Sequence, residues 1–322
     1  MAKIDIYQTV TDRILEALDK GTIPWRHPIT RSDGGHPSGG WPKSLSSGKP
    51  YRGINIFLLA MAAWANGYGS DYWLTYKQAK QQGGQVRKGE KSSLVVFWKR
   101  YVTKDKETGE DKIVPVIRHY NVFNAEQCDG VETPESITDS GAVGKEKAET
   151  VEPIAACERV VSGYEAGPVL SHGGIQAFYA PMSDSVQIPA IDRFESAERY
   201  YATLFHELVH STGHSSRLDR GLDKKMAPFG SADYSKEELI AEMGAAFLAA
   251  STGISPPTIE QSAAYIDNWR KKLRGDKKLI IQAAGAGQRA SDRILGVTWD
   301  EANDNPRPPP EASAISKAGG PS

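Results

Sequence analysis

The chain has 322 residues, 39% hydrophobic and 25% charged, with a formal net charge of −1; that is enough for two domains, each with its own core. Its longest apolar run, Ile56 to Ala65, is shorter than the roughly 20 residues that cross a bilayer. Two cysteines, Cys128 and Cys157, without a secretory leader, argue against a disulfide scaffold and for a soluble protein of the cytoplasm.

From the N-terminus, Ile4, Tyr7, Val10, Ile14, Leu15 and Leu18 recur at helical spacing and stop at Gly21, which predicts an amphipathic first helix. Pro24 to Pro50 is rich in Gly, Pro and Ser and reads as a loop carrying Trp25 and Trp41. Asn55 to Asn66, closed by Gly67, predicts a buried helix with Trp64 in the core, and Thr75 to Gln82 a short helix ended by Gly83 and Gly84. Ser93 to Val102 and Ile113 to Phe123 flank Lys106-Glu-Thr-Gly109 and predict a hairpin.

From Asp129 to Pro153, Glu, Thr, Ser, Gly and Lys displace nearly all large apolar residues, as in a flexible linker. A helix is expected from Ile154, then strands at Ala177 to Tyr179 and Val186 to Ile188. Further helices are expected at Ser235 to Leu248, Thr258 to Leu273 and Lys277 to Leu295, with one before them that Arg193 to Tyr201 leads into and Gly213 stops. The proline- and glycine-rich end reads as disordered. The fold class is therefore α+β: a first α+β domain over 1–128, a linker over 129–153, a mostly helical second domain with a small sheet over 154–298, and a tail over 299–322.

The near-neutral total conceals an asymmetry. Residues 20–104 hold fourteen Lys or Arg against three acids, Asp33, Asp71 and Glu90, a surplus that a neutral partner would not require. Five of the seven tryptophans lie in or beside this region, several next to cations, as in Trp25-Arg26 and Trp98-Lys-Arg100. Cations neutralise phosphates and aromatic faces stack on unpaired bases, so the partner expected is single-stranded nucleic acid, with double-stranded forms bound more weakly. The positions favoured are Trp25, Arg26, Lys43, Lys49, Tyr51, Arg52, Lys88 and Lys91, with Lys99 and Arg100 on the hairpin. No zinc finger, helix-turn-helix or RNP signature implies base-specific reading.

The second domain carries His206-Glu-Leu-Val-His210. Residues four apart share a helix face, so both imidazoles can hold one Zn²⁺ while Glu207 polarises a water. The helix formers of Arg193 to Tyr201 precede the motif and Gly213 ends it. A catalytic zinc needs a third protein ligand and an open position. The metzincin pattern fails, because Ser216 stands where its last histidine belongs. Glu238 is the first candidate, on the Glu238, Glu242, Ala246 and Ala249 stripe of the next helix, although Ser235-x-x-Glu238 also fits a capping box. Glu242 fits a ligand or an orienting partner of a histidine; His214, Glu237 and Asp219 remain as alternatives.

Ile23-Pro-Trp-Arg26, Pro50-Tyr-Arg-Gly-Ile-Asn-Ile56, Val86-Arg-Lys-Gly-Glu-Lys91, His206-Glu-Leu-Val-His-Ser-Thr-Gly-His214 and Glu237-Glu-Leu-Ile-Ala-Glu-Met-Gly-Ala245 together resemble the ArdC family of plasmid antirestriction proteins, over nearly all of 4–298. The resemblance implies a single-stranded-DNA-binding domain joined to a zincin-like metallopeptidase domain, and protection of plasmid DNA from host restriction as the strand enters a recipient cell. It places the metal on His206 and His210, the general base at Glu207, and the third ligand on a glutamate of the Glu237 to Glu242 helix. Metal-assisted peptide hydrolysis is then the expected chemistry, with a host restriction protein as substrate and Val186 to Ile188 as the edge strand for peptide pairing. The alternative is a DNA-coating protein whose metal is only structural. A nuclease is disfavoured, since phosphodiester hydrolysis favours carboxylate-rich Mg²⁺ sites.

Overall fold

The computed structural model describes residues 4–27, 41–104, 108–134, 153–224, 231–254 and 263–298; the side chains at 99–101, 112, 113, 115 and 153 stand outside that description. Most of the expected linker, 135–152, and all of the expected tail, 299–322, lie outside the described residues.

The first domain begins with helix α1, Ile6–Asp19, whose N-terminus is capped by the Asp5 carboxylate accepting from the Gln8 amide. Its buried stripe is Val10, Thr11, Ile14, Leu15 and Leu18. A 3₁₀ turn, Pro24–Arg26, follows, then β1 (Lys43–Ser44), α2 (Ile54–Asn66), β2 (Tyr72–Leu74) and α3 (Tyr76–Gln81). Thr75 and Gln78 close α3 with a reciprocal capping box. Next come β3 (Gln85–Val86), β4 (Ser93–Lys104), β5 (Asp111–Asn124) and β6 (Cys128–Asp129). The expected hairpin is β4 and β5, paired antiparallel from Ser93↔Val122 to Lys104↔Asp111. It forms a four-stranded sheet in the order β1-β2-β5-β4, and β3 and β6 make a separate ladder.

Helix α2 lies along the outer strand of that sheet. Asn55 at its start is buried, and its side-chain amide donates to the Val96 carbonyl and accepts from the Val96 amide, both at 2.8 Å. Trp64, expected in the core, is only half-buried and packs against His27 at a tilt of 38°, with centroids 4.2 Å apart.

The second domain runs α4 (Pro153–Ser162), β7 (Val169–His172), β8 (Phe178–Ala180), β9 (Ser185–Ile188), α5 (Ala197–Ser211), α6 (Ala232–Thr252), α7 (Ala263–Gly275) and α8 (Leu279–Ile294). Its sheet has the order β7-β9-β8, with β7 parallel and β8 antiparallel to β9. This corrects one expectation: Val186 to Ile188 belongs to the central strand, both of whose edges are paired. The edges are β7, which the sequence reading missed, and β8. Helices α6 and α8 cross where Gly244 faces Gly287. A Cβ on Gly287 would lie 2.9 Å from the Gly244 nitrogen and 3.0 Å from the Ile240 carbonyl oxygen, so the two backbones touch. Among the described residues, no helix is long and apolar enough to cross a membrane.

The two domains do not keep wholly separate cores. Tyr51, Leu59, Trp73, Val95 and Val122 form a cluster inside the first domain, but the larger cluster runs from Val10 and Ile56 through to Phe247 and Ile294. Phe57 of α2 stacks on Phe247 of α6 at 5.1 Å, and Trp41 lies 6.2 Å from the same ring. Thr11 of α1 donates to the Lys277 carbonyl at 2.9 Å. Apolar surface on the first domain is thus covered by the second.

Two measurements test this packing. Phe247→Ala is expected to destabilise by about 3–5 kcal/mol, the usual cost of emptying a buried phenylalanine site, with secondary structure and tryptophan fluorescence still lost in one coincident transition. Separate transitions would show independently stable halves. Gly287→Ala, which adds a methyl where backbones meet, should cost about 1–3 kcal/mol by overpacking, read as a lower denaturant midpoint.

Candidate metal centre

Helix α5 starts at the N-cap Ser196, whose hydroxyl accepts from the Arg199 amide, and continues without a break through Ser211. Its regular turn sets His206 and His210 one above the other, with ring centroids 4.7 Å apart and their Nε2 atoms 3.1 Å apart. Helix α6 begins earlier than the sequence suggested. Ser231, not Ser235, is its N-cap, and the buried Ser235 hydroxyl donates back to the Ser231 carbonyl. The capping box expected between Ser235 and Glu238 is therefore not formed, and Glu238 sits in the second turn.

From there its carboxylate meets both imidazoles. Oε2 is 3.6 Å from the His206 Nε2 and Oε1 is 3.6 Å from the His210 Nε2. One ligand atom from each of the three residues lies within 4.8 Å of the others, and this is the one such group of His, Cys, Asp or Glu among the described residues. Separations of 3.1 to 3.6 Å match the edges of a tetrahedron around an ion with ligands at about 2.0–2.2 Å, roughly 3.3–3.6 Å. Two imidazoles and a carboxylate also suit zinc in chemistry.

The neighbouring carboxylates are each engaged elsewhere. Glu237 lies 3.2 Å from the His210 Nδ1 and receives Arg220 through Nε at 2.9 Å and Nη2 at 2.7 Å. Burial pushes its pKa up, but the hydrogen bonds and charges of His210 and Arg220 outweigh that and hold it below the ordinary value. An ionised Glu237 only accepts, so His210 donates from Nδ1 and keeps its Nε2 lone pair for an ion. Glu207 is 9% exposed, and its Oε2 accepts the Tyr179 amide of β8 at 2.8 Å. Burial lowers the His206 pKa, but Glu238, Glu207 and Glu242 more than reverse this and leave it raised. Tyr234, one turn before Glu238, donates its hydroxyl to that carboxylate. Sequence reasoning missed Tyr234, Arg220 and the Tyr179 amide, although the spacing of Tyr234 from Glu238 was a usable signal.

The other proposed ligands do not join. His214 bonds the Ser216 hydroxyl at 2.8 Å and faces Asp223. Asp219 sits in the left-handed region, φ 43°, and pairs with Lys224. Glu242 accepts the Trp25 indole at 3.0 Å, Arg26 through Nε at 2.9 Å and Nη2 at 2.7 Å, and the Tyr265 hydroxyl.

That network also corrects the expected DNA-binding set. Trp25, 2% exposed, and Arg26 face the second domain rather than a groove. Tyr51 is buried, 8% exposed, and burial raises its pKa; Arg52 pairs with Asp292 of α8. These four turn inward because each finds an acid or an apolar partner there. Lys49, Lys88 and Lys91 are exposed, and Lys43 is half-buried with its ammonium 5.8 Å from the Tyr72 ring centre. Lys99 and Arg100 lie on β4, and their side chains are outside the described residues. Two exposed aromatics absent from the expected set are Trp98, 41% exposed on β4, and Tyr76, 51% exposed with Lys80 over its ring.

Two family models match the chain in order: the N-terminal domain of anti-restriction factor ArdC over 4–123, and a zincin-like metallopeptidase domain over 156–286. The uncharacterized protein y4eC of Sinorhizobium fredii is 37% identical over 302 residues, 89% of this chain and 91% of that protein. The DNA primase TraC of Escherichia coli is 36% identical over 311 residues, which is 91% of this chain but 27% of the primase. The crystal structure of the antirestriction ArdC protein from the R388 plasmid in its metal-free form is 39% identical. It aligns over 92% of this chain and all of its own, with a TM-score of 0.69. The Mn(II)-bound structure of that protein is 38% identical and aligns with a TM-score of 0.68 over 91% of this chain and 98% of its own. With both domains matched in sequence and the whole of a solved relative matched in fold, this chain belongs to the ArdC family of antirestriction proteins.

Proposed function

We propose that this protein protects plasmid DNA from host restriction, holding single-stranded DNA on its first domain and a divalent metal, zinc by its donor set, at His206, His210 and Glu238 for peptide hydrolysis. The observation that carries the reading is the meeting of those three donors at tetrahedral edge distances, with Glu207 next to them on the same helix turn. The Mn(II)-bound form of the R388 relative supports a divalent ion at such a centre.

An ion held there would supply Lewis-acid activation, bringing a water's pKa to about 7 and polarising a carbonyl. Glu207, beside those ligands, would serve as the general base that takes a proton from the attacking water and passes it to the leaving amine. Glu237 and Arg220 fix the tautomer and orientation of His210. The edge strand β8 lies beside Glu207 and is the place for an extended peptide to pair, through the edge groups that Glu207 does not occupy. On the first domain, the exposed Lys49, Lys88 and Lys91 and the exposed Trp98 supply phosphate-neutralising charge and a stacking face. A host restriction protein is the substrate this reading favours.

His206→Ala should abolish stoichiometric metal uptake, measured by elemental analysis of the purified chain, and leave single-strand affinity intact. Retained metal would remove the proposed site. Glu207→Gln should keep the ion but lose peptide hydrolysis; protection from restriction undiminished in that variant would favour coating of DNA alone. For DNA, affinity should fall linearly on a log scale with salt. The slope should shrink by about 0.7 for each phosphate left without its cation in Lys88→Ala and Lys91→Ala, whereas Arg52→Ala should leave it unchanged in a fluorescence-anisotropy titration.

A further inference from the structure

The turn Pro24–Arg26 belongs to the first domain by sequence, yet its two functional side chains end on the helix that carries Glu238. Glu242 follows Glu238 by one turn, so the two carboxylates leave the same face about 6 Å apart along the axis. The Glu242 side chain is 11% exposed, and its charge reaches His206. A buried acid so placed has two ways to find a cation: the bound ion, or a partner of its own.

The structure supplies the partner. Oε2 accepts from the Trp25 indole and from Arg26 Nε, and Oε1 accepts from Arg26 Nη2 and the Tyr265 hydroxyl. Arg26 thus grips the carboxylate in a two-point fork. Its guanidinium also lies 4.0 Å above the Tyr265 ring centre, and Trp25 packs edge-on against Trp269 at 5.9 Å. With two donors on each oxygen, Glu242 has no capacity left for an ion.

We propose that Trp25 and Arg26 are positioning residues of the metal centre. They keep Glu242 occupied, so that Glu238 alone of these two carboxylates serves the ion and a coordination position stays open for water and substrate. The inference rests on the metal reading above and adds to it that the first domain sets the ligand count of the second. A site closed by four protein ligands is structural, whereas one with three is catalytic. Removing Arg26 leaves Glu242 with neutral donors only and frees it to close the site.

The test uses the full chain as wild type, Arg26→Ala, Arg26→Lys, and the pair Arg26→Ala with Glu242→Gln. Zn(II) affinity is read by chelator competition and coordination number by the visible spectrum of the Co(II) form. Thermal unfolding of each protein confirms that it is folded. Arg26→Ala should bind Zn(II) more tightly than wild type, through the added carboxylate, and alter the Co(II) spectrum. Arg26→Lys should stay near wild type, and adding Glu242→Gln to Arg26→Ala should restore wild-type affinity and spectrum. If Arg26→Ala does not fold, Trp25→Phe removes one donor while keeping a ring and should shift both readouts the same way by less. Arg26→Ala binding no more tightly than wild type, or keeping its altered behaviour in the double variant, overturns the proposal while leaving the metal site standing. A wild-type chain that takes up neither ion overturns both.

Discussion

A carboxylate removed from water must find a positive charge or a set of donors, and four of them crowd the histidines of this protein. Glu207 takes a backbone amide, Glu237 takes Arg220 and His210, and Glu242 takes Arg26, Trp25 and Tyr265. Glu238 alone turns both oxygens toward the two imidazoles. Leaving any of these acids without its partner would cost several kcal/mol, so the partners are as much a part of the architecture as the helices. Two of them, Trp25 and Arg26, come from the other domain, and the need to satisfy Glu242 helps fix how the domains dock.

What was legible in the sequence follows from the range of the interactions. His206, Glu207 and His210 are set by a single helix turn, so their spacing was enough to place both rings on one side. The long hairpin and the amphipathic α1 were readable for the same reason. Glu238 was reachable by helical period, but the true start of α6 depends on which serine caps it, and the sequence reading took Ser235 where the structure has Ser231. The strands β1, β2, β3, β6 and β7 are two to four residues long, too short to show an alternation.

The cations were harder. Arg26 meets an acid 216 residues away and Arg52 one 240 residues away. Composition counts such residues as available charge, and nothing nearby in the chain says otherwise. Trp25 and Tyr51 fail in the same manner: an aromatic beside a basic residue looks like a stacking platform until the opposite wall of the core is known. The surplus of charge in the first domain is real, but only part of it is exposed, as at Lys49, Lys88 and Lys91.

Asn55 carries a separate implication. Strand β4 borders its sheet, and a bare border is an invitation to any other chain with extended backbone. At Val96 the invitation is withdrawn, because a side-chain amide mimics the peptide group of a neighbouring strand and uses both backbone atoms. Extended backbone from another chain thus finds both of those atoms already taken, at the cost of a single buried asparagine.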